Sequence, residues 1–119
     1  MWNYEPYNKH KRYLYHLKKT YSLTLEGLIE LYNLQAGGCA ICNKALPNPG
    51  SEEAYKFGMS IDHDHACCPS TQTCGKCVRG LLCRDCNLMI GHAKDSHETL
   101  KKAVEYLSRT SMKVGTQNL

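Results

Sequence analysis

The sequence predicts a small α+β fold in which a short β-hairpin and the helix after it are stapled by zinc, with further helices before and after. Three observations carry this expectation. The chain has 119 residues, eight cysteines, one Trp and one Phe. Such a chain cannot easily close a large apolar core and needs a metal, disulfides or a partner subunit. Two Cys-x-x-Cys pairs, Cys39/Cys42 and Cys83/Cys86, flank the central segment. Strand-like alternation lies between these pairs, and helical apolar periodicity lies outside them.

Residues 1–38 form a basic, helical N-terminal part. A first helix is expected over 6–20, with Pro6 in its first turn and Tyr7, Leu14, Leu17 and Tyr21 on one face. Lys11, Arg12, Lys18 and Lys19 fall largely elsewhere. Thr24 can cap a second helix over 25–36, with Leu25, Leu28, Ile29 and Tyr32 as its apolar stripe and Gly37-Gly38 as its stop. The core region, 39–95, opens with the Cys39/Cys42 knuckle and a Pro- and Gly-containing loop over 43–56. A strand over 57–63 and a second over 78–82 enclose an enlarged loop at 66–77. The Cys83/Cys86 knuckle opens a short helix through Ile90, with Gly91 as its stop. Ser96 can cap a last helix, 96–109, whose apolar face is Leu100, Ala103, Val104 and Leu107, and 110–119 reads as a tail. The whole is expected to be one domain.

The formal charge is +4, and it is lopsided: residues 1–20 hold five Lys/Arg and one acid, and the other 99 hold ten of each. This suits nucleic acid, and it suits a solvated basic helix equally well. The opening residues lack a secretory leader and no run reaches transmembrane length, so no membrane association is expected. The expected setting is the cytoplasm, where thiols stay reduced and paired Cys-x-x-Cys turns bind metal.

Cys39, Cys42, Cys83 and Cys86 are the ligand set of a closed, structural zinc site, since four thiolates leave no position open for substrate. Asp62-His63-Asp64-His65 is a candidate hydrolytic group. A carboxylate can hold a hard cation, and an imidazole can take a proton from water near neutral pH. Taken alone, this tetrapeptide reads equally well as a solvated turn or as zinc ligands. It gains weight beside Asn87, which offers a neutral oxygen and directly follows the second knuckle. Cys67, Cys68, Cys74 and Cys77 have three readings: a second zinc site, a site using one of the adjacent cysteines with His65, or a disulfide pair. The second zinc is the expectation carried forward. Arg79, with Arg84 and Lys94 nearby, could clamp a phosphate, or Arg79 could simply occupy an exposed strand face.

Cys39-Ala-Ile-Cys42, Ser60-Ile-Asp-His-Asp-His65, the run VRGLLCRDCNLMIG from Val78 and a helix containing KKAVEYL together resemble the phage recombination endonuclease VII family. The resemblance covers about residues 13–109. That family belongs to the His-Me finger (HNH-type) nucleases, and the resemblance implies a ββα-metal motif beside a four-cysteine zinc. It implies that Asp62 and Asn87 hold a catalytic Mg²⁺ or Mn²⁺, that His63 is the general base, and that His65 is a secondary catalytic or phosphate-contacting residue. The loop over 66–77 is longer than is typical of the family, the C-terminal helical part is shorter, and Leu88, Met89 and Ile90 stand where some members carry a carboxylate.

The function expected on this basis is metal-dependent hydrolysis of DNA to 5′-phosphate and 3′-hydroxyl ends, on duplex or branched DNA or as a nickase. Lys11, Arg12, Lys18, Lys19, Arg79, Arg84 and Lys94 would bind backbone phosphates. One site cuts one strand, so paired cutting would need a homodimer. The competing reading is a non-catalytic zinc-ribbon module that binds DNA or a phage protein. It explains the cysteines and leaves Asp62, His63 and Asn87 as coincidence.

Overall fold

The periodicities resolve into four helices and one two-stranded sheet in the computed structural model, which describes residues 5–51, 59–68 and 74–111. The expected strand start at 57–58, the loop segment 52–56 and the tail beyond 111 lie outside those residues. The chain divides into two compact units, 1–88 and 89–119.

In the first unit, α1 spans Glu5–Tyr21. Leu17 on this helix is fully buried, Leu14 and Tyr21 are half-buried, and Lys11, Arg12, Lys18 and Lys19 are exposed. Ser22 takes a left-handed φ of 55° and ends the helix. Thr24 then caps α2, Leu25–Leu34, by accepting a 3.0 Å bond from the Gly27 N–H, as expected. Leu28 is fully buried on its inner face. This helix stops two residues before the expected end. Ala36, at φ 53°, takes the left-handed position, and the Gly37 N–H closes on the Tyr32 carbonyl at 2.9 Å.

The first knuckle is a tight hairpin in which Gly38 bridges Ala45 and the Cys39 N–H donates to the Lys44 carbonyl at 2.8 Å. Glycine is required at position 38 by a close approach, since a Cβ there would lie 2.9 Å from the Asn43 carbonyl oxygen.

Strands β1 (Ser60–His63) and β2 (Val78–Leu82) pair antiparallel. The register runs Ser60 to Leu82, Ile61 to Leu81 and Asp62 to Gly80, and then jumps to His63 opposite Val78. Arg79 is therefore the extra residue of a β-bulge, a device that re-aims side chains. The other side of β2 is held from α2 and the knuckle: the Leu81 carbonyl accepts from Gln35 Nε2 (2.9 Å) and the Ala40 N–H (3.1 Å), and the Leu81 N–H donates to Gln35 Oε1 (2.9 Å).

The buried apolar side chains among the described residues are Leu17, Leu28, Leu46, Leu81 and Leu82 with Cys39, Cys77, Cys83 and Cys86. Sulfur thus supplies nearly half of the core, and this agrees with the expectation that a chain of this size is stabilised by more than apolar burial.

Helix α3, Arg84–His92, begins in the first unit and ends in the second. It runs through Gly91, which the sequence reading had as its stop. The left-handed closing residue is Lys94 (φ 55°), with the Asp95 N–H bonded to the Ile90 carbonyl at 2.9 Å. Ser96 caps α4, His97–Leu107, by accepting from the Thr99 N–H at 3.1 Å. Nothing on α4 is buried, and Val104 and Leu107 are 65% and 79% exposed. Its expected apolar face has no second layer among the described residues of its own unit. No helix among the described residues is long and apolar enough to cross a membrane.

Candidate metal centre and active site

The two knuckles converge. The Sγ atoms of Cys39, Cys42, Cys83 and Cys86 all lie within 4.8 Å of one another, with Cys42 and Cys83 at 3.7 Å. A tetrahedral zinc with bonds of about 2.3 Å separates its sulfurs by about 3.8 Å, so the donor set fits zinc in both chemistry and spacing. Backbone N–H groups point at the sulfurs, from Ile41 to Cys39 (3.4 Å) and from Cys86 to Cys83 (3.5 Å). Burial alone would raise the Cys39 thiol, but N–H donors at Cys42, Cys83 and Ile41 and the Cys86 thiol outweigh it and bring it from 9.0 to about 6. Burial pushes Cys86 the other way, to about 12, reinforced by hydrogen bonding with Cys83, Cys42 and Cys39 and by the Cys39 charge. Crowded sulfurs cannot all ionise without a cation between them, and a zinc ion would supply one.

The second cysteine set also comes together. Cys67, Cys68, Cys74 and Cys77 place their sulfurs within 4.8 Å of one another. Cys74 is 3.6 Å from Cys77 and 3.9 Å from Cys67. Cys67 and Cys77 are joined as a disulfide, while Cys68 and Cys74 are free. A disulfide withdraws two donors, so the bonded pair and a four-thiolate zinc are alternative states of one cluster. The Lys76 N–H holds the Cys74 thiol below its ordinary value, against burial and with help from the Cys68 thiol and the Lys76 charge. All four cysteines meet, and His65 lies instead with its ring 4.4 Å from that of His63.

At the end of β1, Asp62 receives both oxygens' worth of contact from Arg79: Nε donates to Oδ2 at 2.7 Å and Nη2 to Oδ1 at 3.1 Å. The Asp62 side chain is 12% exposed and that of Arg79 41%. A carboxylate this enclosed calls for a cation, and Arg79 supplies one here; a hard divalent ion could be held by the same oxygens. His63 follows on the strand, and its Nε2 is buried with no hydrogen-bond partner. Buried polar atoms are rarely left so, and the exceptions call for a functional account.

Asp64 serves the turn. Its N–H donates to the Cys77 carbonyl at 2.8 Å, its Oδ1 accepts from Ala66, and its carbonyl accepts from Cys67. Asn87 stands half-buried on α3, its N–H bonded to the Cys83 carbonyl at 3.0 Å, so the second knuckle fixes its backbone. Arg84 is exposed on the same helix, and Lys94 is exposed in the second unit.

Sequence reasoning placed Tyr21 in the core and missed its neighbour. Its ring lies edge-on to His63, with centroids 6.0 Å apart, and burial raises its hydroxyl above the ordinary tyrosine range. The sequence also gave no sign of the Arg79–Asp62 pair. The motif placed both residues near the site, but the bulge that unites them leaves no residue signature.

The described residues form a small α+β fold with a hairpin, a following helix and two four-cysteine groups able to hold zinc. More specifically, the chain belongs to the recombination endonuclease VII family, whose profile matches residues 14–109. It is 35% identical over 91 residues to the Gene 59 protein of Mycobacterium phage D29, an alignment covering 76% of this chain and 46% of that protein. It is 37% identical over 89 residues to the Gene 59 protein of Mycobacterium phage L5, covering 74% and 45%. The chain thus spans less than half the length of these phage relatives. No solved structure matches it.

Proposed function

We propose that this chain is a DNA endonuclease of the HNH type, in which β1, β2 and α3 form a ββα-metal (His-Me finger) site. The observation that carries the reading is His63 Nε2, buried and unpartnered, on the residue that directly follows Asp62, a carboxylate enclosed enough to require a cation. Family membership supports nuclease chemistry and DNA as the substrate.

His63 is the general base and takes a proton from a water aligned with the scissile phosphodiester. Tyr21 packs against the ring and limits its rotation, and His65, beside it, contacts the phosphate. Asp62 and Asn87 hold Mg²⁺ or Mn²⁺, which when bound supplies positive charge to the phosphate and to the departing 3′ oxygen. The products are 5′-phosphate and 3′-hydroxyl ends. Cys39, Cys42, Cys83 and Cys86 hold a structural zinc, and Cys67, Cys68, Cys74 and Cys77 hold a second one when reduced. Lys11, Arg12, Lys18 and Lys19 on α1, with Arg79, Arg84 and Lys94, bind backbone phosphates, and so binding weakens with salt. The setting proposed is the cytoplasm of a phage-infected bacterium.

The test is cleavage of supercoiled plasmid and of a synthetic four-way junction, with Mg²⁺ and then with EDTA. His63→Ala is expected to keep zinc and DNA binding and to lose cleavage by at least about a hundredfold. Cleavage by the variant at the wild-type rate would remove His63 from the mechanism. Absence of cutting by folded, zinc-loaded wild type would favour a binding module. Preference for the junction would identify a branched-DNA enzyme rather than a general nickase.

A further inference from the structure

We propose that Arg79 is a built-in counter-ion that gates the metal site, occupying Asp62 until a divalent cation displaces it. The proposal rests on the reading of Asp62 as a ligand of the catalytic cation. The contact is two-pronged, with one donor on each carboxylate oxygen at 2.7 and 3.1 Å. The bulge sets it up: Asp62 faces Gly80 in the register, His63 faces Val78, and Arg79 is the extra residue between them. In an unbroken ladder Arg79 would face His63 and project to the opposite side of the sheet from Asp62. The irregularity is what brings the two side chains together.

The pair has the properties a gate needs. Asp62 is nearly enclosed, so an ionised carboxylate left without a cation would be costly, and Arg79 removes that cost while metal is absent. Arg79 is 41% exposed at its side chain, so the guanidinium can leave toward solvent without unpacking the core. A divalent cation on either oxygen would take lone pairs that the two-pronged contact uses and would repel the guanidinium, so metal entry and the Arg79 contact oppose each other. A displaced Arg79 is then a five-donor cation beside the metal, suited to a phosphodiester oxygen. A phosphate that captures Arg79 frees Asp62 in turn, so DNA and metal should each raise the affinity for the other by one common factor.

The experiment is calorimetric titration of Mn²⁺, without DNA, into zinc-loaded wild type, Arg79→Gln, Arg79→Lys and Asp62→Asn. Zinc content and far-ultraviolet dichroism monitor folding. Arg79→Gln removes the competing charge and is expected to bind Mn²⁺ at least about tenfold more tightly, a difference of about 1.4 kcal/mol. Arg79→Lys keeps the charge but cannot fork across both oxygens, and so should fall between the two. It carries the test if the glutamine variant does not fold. Asp62→Asn should lose the site. Unchanged or weaker Mn²⁺ binding in the Arg79 variants, with binding lost in Asp62→Asn, overturns the gate and leaves the nuclease reading standing. Wild-type affinity in Asp62→Asn, or no Mn²⁺ binding by any of the proteins, overturns both.

Discussion

Three hydrogen bonds converge on the side-chain amide of Gln35. Its Nε2 reaches the carbonyls of Gly38 and Leu81, at 2.8 and 2.9 Å, and its Oε1 accepts the Leu81 N–H at 2.9 Å. The amide thus does for β2 what a third strand would do, and it ties the end of α2 to the strand that leads into the second knuckle. Removing it strands a backbone N–H on a fully buried residue. Gln35→Ala is therefore expected to lower stability by about 1–3 kcal/mol, measured by denaturant unfolding, without loss of zinc. This role was not legible in the sequence. A glutamine after an apolar stripe has the signature of a surface residue, and only the fold brings Leu81 to it. His63 stands out as a candidate because its neighbours Asp62 and His65 and the later Asn87 form a motif, whereas Tyr21 looks like any other apolar-face aromatic on α1.

At the level of elements, the knuckles set the geometry. Each Cys-x-x-Cys turn could be read directly from spacing, as could the caps at Thr24 and Ser96, because those signals are local. The helix ends were less legible. Both α2 and α3 close on a non-glycine residue in the left-handed region, Ala36 and Lys94; Gly37, at φ 74°, completes the first closure, while the other nearby glycines do other work. Gly38 is one of these, packed against the Asn43 carbonyl inside the first knuckle. Gly38→Ala should force the hairpin open beside Cys39 and release zinc at a lower chelator concentration than wild type needs, as read by a chromogenic zinc indicator. The bulge at Arg79 was not legible for a different reason. Register depends on how both strands are pinned, and neither strand's sequence alone records it.

For the molecule as a whole, the thin core would make a bound zinc part of the folding free energy. The sulfur cluster predicts how uptake behaves. The Cys39 thiol, near 6, is mostly ionised at neutral pH, whereas Cys86, near 12, is not. Zinc binds the thiolate, so Cys86 must give up its proton on uptake. Binding at pH 7 should release protons, and affinity should fall as the pH is lowered, most steeply on passing below about 6, where Cys39 also becomes protonated. Calorimetry in buffers of different ionisation enthalpy would count those protons. Cys86→Ser should lose this zinc and unfold at least about 10 °C lower, several kcal/mol at this size. The small α+β class and the first cysteine group were readable from composition and spacing, because metal ligands declare themselves by residue type; the second group left three readings open, and only the fold brings all four of its sulfurs together. The division of the chain at residue 88 was not, since α3 runs unbroken through the boundary.

The convergence of the two knuckles has a mechanical consequence. With zinc in place, residues 39–42 are fastened directly to 83–86, so tension applied at the chain ends passes from the first knuckle to the second through the ion. The hairpin, the long loop and the second cysteine cluster lie on a slack bypass. Some 40 residues, up to about 140 Å of extended chain, stay sheltered until a zinc–sulfur bond gives way. Under such a load Asp62 and His63 would keep their register while the helices outside the knuckles yield first.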